Sequence, residues 1–221
     1  MMITLFEDYK TMSECVASVA AETIESNPNC KLGLPTGSTP IGMYKNLIQF
    51  DLDWSNVKTF NLDEYENISH VHPESYHMYM RRNLFLHVNL KEGNIHFPDN
   101  EYDKTIKDEG GLDVTILGIG HNGHIAFNEP GSSLTSRTRK VKLTEETIQA
   151  NSRFFKTIDE VPKRAFTMGM KTIRESKRII LIANGSDKWK ILDECFNGNV
   201  TKDRPASILQ VHPKIEVFYA S

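Results

Sequence analysis

Apolar runs bounded by glycine, proline and small polar residues recur along the 221-residue chain. Those near 31–34, 57–61, 114–119, 178–183 and 215–219 have the length and character of strands. Helical periodicity near 11–26, 40–50, 73–87 and 187–197 predicts helices alternating with them. Ile179, Ile180, Leu181 and Ile182 form a continuous apolar run, the pattern of a central strand covered on both faces. The alternation predicts an α/β fold in three layers, a mostly parallel central sheet with helices on both faces. No internal repeat, low-complexity tract or Gly/Ser linker interrupts it, so one domain spanning 1–221 is expected.

Open α/β sheets place their chemistry at the carboxyl ends of strands, and three strand ends here carry suitable residues. In KLGLPTGSTP, Leu32 and Leu34 lead into Thr36, Gly37, Ser38 and Thr39 before a helical pattern near Pro40. Proline suits a first helical turn, the preceding Ser and Thr suit the cap, and free amides with hydroxyls suit a phosphate. The lysine and spacing of a nucleotide-binding P-loop are missing. In VKTFNLDEY, Asp63 and Glu64 follow a strand pattern; neighbours in extended chain point to opposite sides, so at most one faces a ligand. In LGIGHNGHIAFNEPGSS, Gly118, Gly120 and Gly123 release the chain into a loop where His124 and Glu129 stand five residues apart, residue types suited to acid and base work.

A formal charge of −3 argues against general nucleic-acid binding, so an anionic metabolite has to be drawn by a local cationic pocket. Cys15, Cys30 and Cys195 are an odd, widely spaced set without a CxxC pair, which points to reduced thiols rather than a disulfide framework or zinc site. His70, His72 and His77 lie among turn residues and a helix rather than on one ligand face, so no metal is expected. The segment MMITLFEDYK has acids where a signal peptide has bases, and no apolar run approaches the roughly 20 residues of a membrane span. A cytoplasmic protein without a membrane partner is expected.

Taken in order, LPTGSTP, FNLDEY, GIGHNGHIAFNEPGSS, SRTR, NSRFF, AFTMGM, NGSDK and PASILQVHP resemble the glucosamine-6-phosphate deaminase family over nearly the whole chain. The resemblance implies a Rossmann-like fold and conversion of glucosamine 6-phosphate and water to fructose 6-phosphate and ammonia. Ring opening, aldose-to-ketose isomerisation and deamination would follow one another, with no redox or metal cofactor. By motif position Asp63 resembles the base at carbon 2, His124 the ring-opening acid and base, and Glu129 the carboxylate coupled to it. Asn122 stands where well-known members have aspartate; an amide cannot ionise but can orient His124. Gly37, Ser38, Thr39, Arg153 and Lys188 align with the family's phosphate-binding residues.

Further implications concern regulation and motion. Residues 140–170 resemble a lid that closes over substrate and carries Arg153. Ser132 and Arg139 match an allosteric region of long-chain relatives, but the chain lacks their C-terminal extension, so Arg137, Arg139, Lys140 and Lys142 are expected as exposed cations. The acidic stretch 97–111 resembles a shortened peripheral helix clear of the motifs. A monomer or small homo-oligomer is expected. Two alternatives differ in chemistry: a 6-phosphogluconolactonase-like hydrolase, which would give Asp63 no carbon-bound proton to remove, and a non-catalytic sugar-phosphate sensor, for which the chain has no room for a DNA-binding module.

Overall fold

A computed structural model describes residues 3–221. The chain runs β1 (Ile3–Phe6), α1 (Tyr9–Ser26), β2 (Lys31–Leu34), α2 (Ile41–Leu47), β3 (Lys58–Asn61), β4 (Asp63–Tyr65) and α3 (Tyr76–Asn83). It continues β5 (Ile95–His96), α4 (Tyr102–Asp108), β6 (Val114–Gly118), β7 (Arg139–Lys142) and α5 (Glu145–Asn151). It ends β8 (Arg164–Thr167), α6 (Met170–Arg174), β9 (Arg178–Asn184), α7 (Lys188–Phe196) and β10 (Ile215–Ala220).

Seven strands form one sheet in the order β1-β10-β9-β6-β2-β3-β5, and every pairing in it is parallel. From β2 the chain steps outward through β3 and β5, then returns to the other side of β2 as β6 and runs on to β9 and β10. The strand order therefore reverses between β2 and β6, and the crevice beyond their carboxyl ends is where such sheets bind ligands.

The continuous apolar run in β9 is divided between two cores by the pleat. Ile180 and Ile182 pack with α1, α2 and α3, and Ile179, Leu181 and Ala183 pack with α4, α6 and α7. All five are essentially inaccessible to solvent, and full burial of each large one stabilises by about 1.5–3 kcal/mol. Helix α1 shows the matching periodicity, burying Met12, Val16, Ala20 and Ile24, and its start is fixed by Asp8, whose side chain accepts from Thr11 N at 2.8 Å.

Several expectations are corrected. Strands β1 and β5 sit at the sheet edges and are four and two residues long, too short to show a period. The DEY segment is not a strand end but a strand of a second, antiparallel sheet, β4-β8-β7. Pro40 is the N-cap of α2 rather than its first residue, and no side chain caps it, so the Ser38 and Thr39 hydroxyls are not spent there. The shortened helix α4 does reach a motif: Asp103 accepts from Thr138 N at 3.0 Å and from the hydroxyls of Thr138 and Thr172 at 2.8 and 2.7 Å. It thereby ties down the SRTR segment.

Candidate active site

The carboxyl ends of β2, β3, β6 and β9 open on one cleft of about 720 Å³. Its walls include Gly37, Ser38, Thr39, Asp63, Asn122, His124, Glu129, Arg153 and Lys188. Seven of these nine follow the parallel strands β2, β6 and β9, which send their loops to the same edge, while Asp63 and Arg153 come from the second sheet and the segment between its strands β7 and β8.

Asp63 begins β4 directly after the turn at Leu62, and only 6% of it is accessible. Its Oδ1 has no hydrogen-bond partner among the described residues. Burial, with a lesser contribution from the neighbouring Glu64 charge, pushes the Asp63 carboxyl up to about 8. Glu64 points the other way along the pleat and is fully engaged. Its Oε1 accepts from Tyr65 N and Tyr76 N at 2.8 and 3.1 Å, and its Oε2 from His77 N at 3.0 Å, with His77 Nδ1 at 2.7 Å. One carboxyl is thus fully hydrogen-bonded by the start of α3, and the other is left basic and unpaired.

The loop after β6 determines the state of His124 through an amide. Glu129 as a carboxylate only accepts, so the Asn122 group 3.1 Å from its Oε2 is the NH2 end. Asn122 Oδ1 then faces His124, accepting from its backbone N at 3.1 Å and lying 2.7 Å from Nδ1. Nδ1 therefore carries a hydrogen, and in the neutral ring the lone pair is left on Nε2 for a ligand. Glu129 Oε2 is 3.4 Å from Nδ1, so the tautomer is set mainly through Asn122 rather than by Glu129 directly. Gly120 makes room for this: a Cβ there would come within 2.1 Å of the imidazole. Ala126, in the same loop, takes the left-handed backbone region at φ 51°.

Burial disfavours the Glu129 charge, but hydrogen bonding and charge from His124, with Thr147 and Asn122, outweigh it and hold the carboxyl at about 2. Thr147 Oγ1 donates to Glu129 Oε1 at 2.7 Å from helix α5, so the segment between β7 and β8 reaches the centre of the site. Arg153 rides on the same segment in a 3-10 turn, Ser152–Phe154, with its guanidinium 4.7 Å from the Phe154 ring centroid. Lys188 opens α7 with its Nζ 4.0 Å from Asp187 Oδ2.

Of the four cations expected to be exposed, Arg137, Lys140 and Lys142 are, and Arg139 is not. Arg139 is not a free surface charge: it is half-buried, donates to Asn128 Oδ1 at 2.8 Å, and burial lowers its pKa. Arg137 pairs with Glu175 through both guanidinium nitrogens, and Lys140 pairs with Glu66 at 2.7 Å. His70 and His77 stack with centroids 3.8 Å apart, and no group of three or more potential ligands converges on a metal-sized space among the described residues. Tyr9, Tyr76, Thr147 and Asn184 also line the cleft and were not singled out from sequence. Their side chains reach it only through tertiary packing, and no local pattern marks them.

Residues 7–217 match the family model described as glucosamine-6-phosphate isomerases/6-phosphogluconolactonase. A glucosamine-6-phosphate deaminase of Thermoanaerobacter pseudethanolicus is 44% identical over 98% of this chain and 91% of its own length. One of Clostridium acetobutylicum is 47% identical over 96% of this chain and 94% of its own. A solved structure described as a monomeric glucosamine-6-phosphate deaminase superposes with a TM-score of 0.96 at 40% identity, covering 100% of this chain and 97% of that one. The 6-phosphogluconolactonase of Trypanosoma brucei shares the fold alone, with a TM-score of 0.80 at 19% identity over 99% of this chain and 96% of that one. With a cleft that joins the family's motif residues and a match along nearly its full length, the chain belongs to the glucosamine-6-phosphate isomerase/6-phosphogluconolactonase family.

Proposed function

We propose that this chain converts glucosamine 6-phosphate and water to fructose 6-phosphate and ammonia. The observation that carries the reading is Asp63, a buried, unpaired carboxyl of raised basicity in the same cleft as a tautomerically fixed imidazole. In the first step His124 Nε2 takes the anomeric hydroxyl proton as the bond from carbon 1 to the ring oxygen breaks, and delivers a proton to that oxygen. Glu129 stabilises the imidazolium formed in between. In the second step Asp63 removes the proton on carbon 2, the electron pair forms the double bond to carbon 1, and the ammonium gives up a proton to the aldehyde oxygen, leaving the enolamine. Return of the proton from Asp63 at carbon 1 gives an iminium at carbon 2. Water adds there and ammonia leaves, giving the ketone.

Asp63 has to be ionised to act, and the substrate's ammonium group, arriving beside it, favours the carboxylate and also acidifies the carbon. Gly37, Ser38, Thr39, Arg153 and Lys188 take the phosphate; the segment 143–163, which carries Thr147 and Arg153, closes over it as a lid. A lactone hydrolase would need the phosphate site but no base of this kind. We read the protein as a cytoplasmic monomer, supported by three free thiols and by the monomeric relative.

Incubation with glucosamine 6-phosphate should release ammonia and fructose 6-phosphate in equal amounts. Asp63→Asn should lower the rate by roughly 100-fold or more, the scale of a lost general base. Rapid hydrolysis of 6-phosphogluconolactone without ammonia release would move the protein to the lactonase branch.

A further inference from the structure

Three tyrosine hydroxyls from three different helices converge on the backbone of the Pro35–Thr39 turn. Tyr44 Oη donates to Pro35 O at 2.6 Å and Tyr79 Oη to Gly37 O at 2.5 Å. Tyr9 Oη donates to Thr39 O at 2.9 Å, lies 3.4 Å from Ser38 O, and accepts from Gly42 N at 2.7 Å. Ile41 N donates to Ser38 O at 3.3 Å as well.

The peptide planes make these contacts consequential. No peptide bond among the described residues is cis, and in a trans peptide each carbonyl points opposite to the N–H that follows it. Tyr44 on Pro35 O therefore aims the Thr36 N–H the other way, Tyr79 on Gly37 O aims the Ser38 N–H, and Ile41 N on Ser38 O aims the Thr39 N–H, whereas Tyr9 holds Thr39 O, which precedes Pro40 and so aims no amide. Those three N–H groups donate to no acceptor among the described residues, although the turn lines the cleft. Gly37 contributes the reversal between planes with φ 98°. Burial pushes the Tyr44 and Tyr79 hydroxyls above the ordinary phenol range, so both stay protonated and able to donate.

We infer that Tyr44 and Tyr79 are positioning residues for the phosphate: by pinning the carbonyls of Pro35 and Gly37 on the protein side, they hold the amides that follow ready for an oxyanion before substrate arrives. The phosphate then meets donors already ordered, and binding is stronger because little backbone freedom is lost on association. This rests on the proposed reading of the cleft as a sugar-phosphate site.

Tyr79→Phe and Tyr44→Phe keep the ring and remove the hydroxyl. Calorimetric titration of the full chain with inorganic phosphate, and steady-state kinetics with glucosamine 6-phosphate, should show phosphate Kd and KM rising together, roughly 5- to 10-fold per variant. The kcat should stay within about twofold, because the chemistry at carbons 1 and 2 is untouched. Tyr102→Phe is the structural control: its hydroxyl donates to Asn61 O at 2.8 Å, away from the turn, and its phosphate Kd should equal that of the unmodified protein. An unchanged phosphate Kd in both Tyr79→Phe and Tyr44→Phe, a fall in kcat at constant KM, or no phosphate binding by the unmodified protein each overturns the inference. Weakened phosphate binding in a protein that releases no ammonia would uphold the bracing and reject the deaminase instead.

Discussion

Asp63 shows how a single residue can serve chemistry at the expense of the fold. Its carboxyl titrates at about 8 in the folded protein against an ordinary 3.8, so between those values the folded state holds a proton that the unfolded chain has released. Stability associated with this group is present below about pH 4, declines as pH rises through the window, and is lowest once the group is ionised above pH 8. Asp63→Asn removes that dependence. The melting temperature of the variant minus that of the parent should therefore become more positive from pH 5 to pH 8.5 in parallel thermal scans. A difference that stays constant or falls over the range would show that burial does not set the carboxyl's proton affinity. Glu129 behaves in the opposite sense: at about 2 it is ionised throughout that window and does not blur the comparison. Asn122, the amide where relatives were expected to have a carboxylate, completes the residue-scale picture, because a neutral group with one donor end and one acceptor end joins Glu129 to His124 without adding a second negative charge.

At the scale of elements, the second sheet and helix α5 link the site to the segment proposed as a lid. Strand β4 carries Asp63 and pairs with β8, β8 pairs with β7, and α5 lies between β7 and β8 in the chain. A small apolar cluster, Tyr65, Phe127, Leu143 and Ala165 with Ile148 and Phe155 against it, binds this layer to the His124 loop. Thr147 adds the polar connection to Glu129. Thr147→Val preserves shape and removes one hydrogen bond worth about 1 kcal/mol, so kcat/KM for glucosamine 6-phosphate should drop roughly fivefold. Thermal stability should change little, because the threonine is only partly buried. An unaltered kcat/KM would mean that α5 contacts Glu129 without aligning it.

For the whole molecule, the parallel sheet and the second sheet together bring the nine motif residues into one cleft within a single chain. On the proposed monomeric reading, no second copy is needed to complete the site. Sedimentation should give a single species near 25.2 kDa, and specific activity should not depend on protein concentration down to the nanomolar range. Loss of specific activity on dilution would instead reveal an obligate assembly. Helix α4 ties the SRTR segment to the rest of this frame through Asp103, a role its acidic, short sequence did not suggest.

Local pattern alone determined a good deal about this protein. The central strands were legible because Val114 to Ile119 and Ile179 to Ile182 are apolar on both faces, which only a sheet covered on two sides requires. The motif residues were legible mainly through the family resemblance: glycine turns and polar groups at strand ends suggested only where chemistry could lie, and the roles of Asp63, His124, Glu129, Arg153 and Lys188 rested on their motif positions. The second sheet was not, since β4 is three residues long and its pairing partner lies about a hundred positions away. The state of each candidate group was decided by tertiary structure: the basicity of Asp63 by burial, the neutral tautomer of His124 by an amide held against Glu129, and, on the inference above, the readiness of the Pro35–Thr39 turn by hydroxyls from α2 and α3. Proton affinity and hydrogen-bond direction depend on what surrounds a side chain in space, and sequence spacing carries that information only when the neighbours are also neighbours along the chain.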